Sequence, residues 1–86
     1  MRLADDFIRD LDYWAGHDPQ IHARLLRIIQ ETLADPFHGL GKPEPMKHDY
    51  RGCWSRRLTK EDRVVYRVYP GYVDFLSGRY HYPANP

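Results

Sequence analysis

The chain has 86 residues, a formal net charge of +1, 42% hydrophobic and 14% aromatic residues. That length fits one domain, expected over residues 1–86, and the apolar content suffices for one core and argues against disorder. The apolar runs are too short to cross a bilayer, "MRLADDFIRD" lacks the apolar stretch of a signal peptide, and the single Cys53 rules out an internal disulfide and fits a cytoplasmic protein.

In chain order, "MRL" reads as the stub of a strand. From Ala4 the pattern turns helical, with Phe7, Leu11 and Trp14 recurring at helical spacing and Ile8 beside them. Asp5 and Asp6 occupy the first turn, where carboxylates complement the helix dipole, and Gly16 is the expected stop. "HDPQ" predicts a second start, with Asp18 as N-cap and Pro19 at the first helical position. Ile21, Leu25, Ile28 and Ile29, with His22, Leu26 and Leu33, give this helix a broad apolar face that Pro36 closes near Ala34 or Asp35. Residues 36–45, "PFHGLGKPEP", read as a loop in which Lys42 and Glu44, each preceding a proline, are expected to be extended. The period then changes to two in "GCWSRRL", "RVVYRVY" and "YVDFLSG", with turns at "TKED" and "PG". The expected fold class is α+β: a two-helix hairpin on one face of a small, twisted, mainly antiparallel sheet.

Charge is unevenly distributed. Residues 1–35 carry 4 Lys or Arg against 7 Asp or Glu, whereas residues 36–86 carry 9 against 5. The basic half holds Lys47, Arg51, Arg56, Arg57, Arg63, Arg67 and Arg79, which suits an anionic partner such as nucleic acid. Arg56 and Arg57 point to opposite faces of their strand, so only one of them can join Arg63 on a given face.

Glu44, Lys47, Arg56, Arg57, Arg63, His81 and Tyr82 together supply what metal-free RNA cleavage needs. A base removes the ribose 2′-hydroxyl proton, an acid protonates the leaving 5′-oxygen, and cations stabilise the charge on the five-coordinate phosphorus. Taken singly, these residues are ordinary: a loop glutamate beside lysines is usually a solvated ion pair worth about 0–1 kcal/mol. A metal site is not expected. His17 and His22 do not share a helical face, one cysteine cannot build a zinc cluster, and no phosphate-cradling glycine loop is present.

"GKPEP", "GCWSRRL", "RVVY" and the closing "RYHY", in this order and spacing, resemble the YoeB/Txe toxins of the RelE superfamily. The resemblance runs from "DLDYW" to Tyr82. It implies a bacterial type II toxin that cuts messenger RNA in the ribosomal A site, with two helices on a four- to five-stranded sheet. By position it makes Glu44 the general base, His81 the general acid, Arg63 the phosphate-stabilising cation and Tyr82 the residue that positions the substrate. Lys47, Arg57 and Arg56 are the implied RNA-binding residues, and no cofactor or metal is implied. The implied partners are a YefM/Axe-like antitoxin, the ribosome with its mRNA, and a second copy in a homodimer. DNA would be met only through the antitoxin, and no membrane is involved. The alternative is a non-cleaving ribosome-binding inhibitor, or a corepressor module in an antitoxin–DNA complex.

Three places depart from the family pattern. "MRL" runs directly into "ADDF", shortening the first strand. Asp62 stands where many members carry a histidine, which predicts a weakened hold of Arg63 on phosphate. "PANP" continues past Tyr82.

Overall fold

The structure, a computed structural model, describes residues 1–80. Its elements are β1 (Arg2–Leu3), α1 (Asp5–His17), α2 (Pro19–Ala34), β2 (Glu44–Pro45), a 3-10 turn (His48–Tyr50), β3 (Cys53–Arg57), β4 (Arg63–Tyr69) and β5 (Tyr72–Ser77). The strands form a five-stranded sheet in the order β1-β5-β4-β3-β2. All neighbours are antiparallel except β1, which runs parallel to β5 with Arg2 opposite Asp74. The expected α+β architecture is the observed one.

The helix hairpin is set by Asp18. Its backbone is extended, with φ −154° and ψ 98°, and its carboxylate accepts hydrogen bonds from the amides of Gln20 at 3.1 Å and Ile21 at 3.2 Å. It therefore ends one helix and caps the next. Gly16 is not the stop: α1 runs on to His17, and the break falls at Asp18 instead. Phe7, Trp14, Leu25, Ile28 and Ile29 turn inward and pack on Leu58, Val64, Tyr66, Val73 and Phe75 of the sheet. Each large side chain buried in this way contributes about 1.5–3 kcal/mol. Leu26 and Leu33, on the flank of the stripe, stay 43% and 46% exposed.

Among the described residues the opposite face of the sheet carries no α-helix. A smaller cluster of Cys53, Val65 and Leu76 sits there, with Ala4, Met46 and Tyr50 packed against it. Alternation from Phe75 turns Leu76 to this face, and a bulge lies there: Val65 pairs with Ser77 and Tyr66 with Phe75, so Leu76 is the extra residue.

Two expectations for residues 36–45 change. Glu44–Pro45 is not loop but a two-residue edge strand on β3. Lys42 is not extended: its φ is +51°, after Gly39 at +113° and Gly41 at +83°. The chain must reverse here to lay β2 beside β3, and successive left-handed residues do this within four positions. His48 on the far side of β2 also lies at φ +59°. The Glu44 strand is thus bracketed by two non-glycine residues in left-handed backbone, a strain of order 1–3 kcal/mol each.

Candidate active site

The strand register decides which side chains meet. Residues directly opposite one another share a face, with Cβ atoms about 4.5–5.5 Å apart. Glu44 lies opposite Ser55, and Arg57 opposite Arg63. Ser55 and Arg57 are two apart on one strand and share its face. Glu44, Ser55, Arg57 and Arg63 therefore occupy the helix-free face together. Beside them lies a groove of about 350 Å³ lined by Met46, Lys47, His48, Asp49, Tyr50 and Ser55. Of the expected RNA-contacting residues, Lys47 lines this groove and Arg57 stands next to it.

The charges of this face are not consumed internally. Glu44, Lys47 and Arg57 are exposed, and none has a side-chain hydrogen bond or ion pair among the described residues. Arg63 is half-buried. Its Nη1 donates to the carbonyls of Thr59 at 3.3 Å and Asp62 at 3.2 Å, which leaves Nη2 and Nε available. Two guanidiniums directly opposite one another repel, so the pair costs stability unless an anion lies across it.

Asp62 does not neutralise Arg63. Its carboxylate accepts the Thr59 hydroxyl at 2.6 Å, and the same hydroxyl accepts the amides of Glu61 and Asp62. The carboxylate closes the β3–β4 turn and makes no ion pair among the described residues, so the expected weakening of Arg63 has no structural basis.

Arg56 departs furthest from expectation. It is fully buried on the helix-facing side of β3 and presents nothing to the open face. Its Nε donates to the Tyr66 hydroxyl at 3.2 Å, Nη1 to the Leu40 carbonyl at 2.9 Å, and Nη2 to the carbonyls of Asp35 and His38. Contact with RNA is therefore withdrawn for Arg56. The alternation that placed Arg57 outward places Arg56 in line with Trp54 and Leu58, both of which pack on the core.

The chain leaves β5 under tight control. Asp10 accepts the Gly78 amide at 2.8 Å, and Trp14 Nε1 donates to the Gly78 carbonyl at 2.8 Å. The Arg79 guanidinium lies 3.5 Å from the centre of the Tyr13 ring, whose other face stacks on His17. His81, Tyr82 and the "PANP" tail lie outside the described residues. Among the described residues no helix is long and apolar enough to cross a membrane.

A family profile described as "YoeB-like toxin of bacterial type II toxin-antitoxin system" matches residues 3–82. The chain belongs to the YoeB-like toxin family. It is 44% identical over 78 residues to Toxin YoeB of Escherichia coli O6:H1, covering 91% of this chain and 88% of that one. The YoeB/ParE toxin from Agrobacterium tumefaciens superposes with a TM-score of 0.86 at 38% identity, covering 95% of this chain and 100% of that one. The YoeB–YefM complex from Staphylococcus aureus gives a TM-score of 0.85 at 26% identity, with 94% of each chain covered; YoeB from the same organism has also been solved as a dimer. The resemblance read from "GKPEP", "GCWSRRL" and "RVVY" thus names the family to which the chain belongs.

Proposed function

We propose that this YoeB-like toxin is an endoribonuclease that cuts messenger RNA in the ribosomal A site. The observation that carries the reading is one exposed carboxylate, Glu44, on the same open face as two opposed arginines, Arg57 and Arg63, with no acidic partner for either among the described residues. A phosphodiester supplies the missing negative charge.

In this mechanism Glu44 takes the proton of the ribose 2′-hydroxyl, and the 2′-oxygen attacks the adjacent phosphorus. Arg63, with Arg57, stabilises the added charge on the phosphoryl oxygens. The bond to the 5′-oxygen breaks, His81 donates the proton to that oxygen, and a 2′,3′-cyclic phosphate remains. Tyr82 positions the scissile nucleotide. Lys47, on the rim of the adjacent groove, holds flanking phosphate. Each proton-transfer group contributes about 10²–10⁴-fold. The work is done in the cytoplasm, with the ribosome, by one domain spanning residues 1–86. A YefM-like antitoxin and a second copy of the toxin are the expected protein partners, as in the Staphylococcus aureus relatives.

Primer extension on mRNA bound to programmed ribosomes tests this, using wild type, Glu44→Ala and His81→Ala with a ribosome-free control. The expected result is an A-site cut by wild type that both variants lose. A toeprint stall by all three proteins without any cut would show that the chain blocks the ribosome by binding alone.

A further inference from the structure

A fully buried arginine needs a reason. Arg56 makes no ion pair with a carboxylate among the described residues, and its donors go to backbone carbonyls and one hydroxyl. An apolar side chain in its place would leave partly buried carbonyls without a donor, so Arg56 stabilises the core whatever else it does. Its acceptors, however, are not scattered. The carbonyls of Asp35, His38 and Leu40 all belong to the segment that leads to Glu44. The fourth acceptor, the Tyr66 hydroxyl, itself donates to the Pro36 carbonyl at 2.6 Å. Two side chains from adjacent central strands thereby fasten four carbonyls of one loop.

The loop is closed from other sides as well. Glu31 accepts the Leu40 amide at 3.2 Å. At Gly39 a Cβ would stand 3.0 Å from the Glu31 carboxylate and 3.5 Å from Arg56 Nη1, so the backbone approaches both charges as only glycine can. The strand that bears Arg56 also supplies Ser55, the ladder partner of Glu44.

We infer that Arg56, acting with Tyr66, is the positioning residue for Glu44: it fastens residues 35–40 so that the carboxylate arrives over the open face at a fixed place. The role rests on Glu44 being the base. A guanidinium fits this task because its fork of donors reaches several carbonyls in one plane, which an ammonium cannot do.

The test compares Arg56→Lys and Tyr66→Phe with Val73→Ala. Val73 is a buried residue near the other end of the sheet, and its variant controls for loss of stability alone. Two measurements are made on the full chain: amide hydrogen exchange without substrate, and the cleavage rate on saturated, programmed ribosomes. The expected result is exchange across residues 36–45 rising about tenfold in Arg56→Lys and Tyr66→Phe, with α1 and β5 unchanged. Cleavage in the same two variants falls about ten- to a hundredfold with ribosome affinity retained. Val73→Ala lowers the melting temperature and changes neither measurement. If all three variants lose cleavage in proportion to melting temperature, Arg56 is only a core residue. If the 36–45 exchange is unchanged in Arg56→Lys and Tyr66→Phe, the anchoring is overturned whatever the cleavage. A wild type that cuts nothing, while Arg56→Lys still loosens 36–45, supports the anchoring and overturns the ribonuclease reading.

Discussion

The carbonyl of Gly41 accepts the amide of Arg57 at 2.6 Å, so the segment that presents Glu44 and the strand that presents Arg57 are one backbone unit. The approach leaves no room for a side chain. A Cβ at Gly41 would stand 2.8 Å from the Arg57 carbonyl oxygen, and its φ is +83°. Gly41→Ala is expected to cost roughly 1–3 kcal/mol and to lower cleavage together with stability. Urea denaturation checks the first part, and an undiminished midpoint would refute it.

Pro43 and Pro45 stiffen the two sides of Glu44 without serving the ladder. Pro45 lies on an edge strand, where a missing N–H is tolerated. Replacing both by alanine is expected to leave the circular dichroism spectrum intact while cleavage falls, since a misplacement of about 1 Å can cost ~10²-fold in rate. Full activity in the double variant would remove the reason for the prolines.

Arg57 and Arg63 face one another without an acidic partner among the described residues. For Arg57→Ala, RNA or ribosome affinity is expected to weaken and the slope of log K against log salt to shrink by about 1. Thermal stability is expected to hold within about 0.5 kcal/mol, because a repulsive neighbour is lost along with the side chain. A salt titration of binding checks this; an unaltered slope would mean that Arg57 touches no phosphate.

Asp62 belongs to its turn rather than to Arg63. Asp62→Ala removes the acceptor of the Thr59 hydroxyl at 2.6 Å and is expected to lower stability by about 1–2 kcal/mol. It is not expected to raise cleavage. Faster cleavage by this variant would restore the idea that the carboxylate restrains the arginine.

Burial pushes the Tyr66 phenol above its ordinary value of 10.0, against the opposing pull of Arg56. A group raised on folding stabilises below its unfolded value and loses that contribution as pH rises through the folded one. Stability is therefore expected to fall above about pH 10. In Tyr66→Phe this alkaline limb is expected to be shallower. Guanidinium unfolding across that range, in wild type and variant, makes the comparison.

The sequence was most readable where one residue carries a local rule. Asp18 and Pro19 mark the helix hairpin, and the alternation from Cys53 to Ser77 marks the three long strands. Glu44 was readable as a rigid loop residue but not as a strand residue, because two residues show no periodicity. The pairing of β1 with β5 joins segments about seventy positions apart, which no local pattern encodes. Arg56 was misplaced because arginines are rarely fully buried, although its parity with Trp54 and Leu58 pointed inward. Lys42 escaped the rule for residues before proline because the tight reversal at Gly39 and Gly41 continues through it.

β5, the last strand among the described residues, is not an edge of the sheet. It lies between β1 and β4, and its exit at Gly78 is held by Asp10 and Trp14, 68 and 64 positions earlier. The first helix therefore waits for β5 before it has a floor to pack on. The β3–β4 hairpin can form during synthesis, but β4 has no second neighbour until β5 arrives. A message broken before the codon for Tyr72 releases a chain in which β1 has no neighbour in the sheet and β4 has only β3.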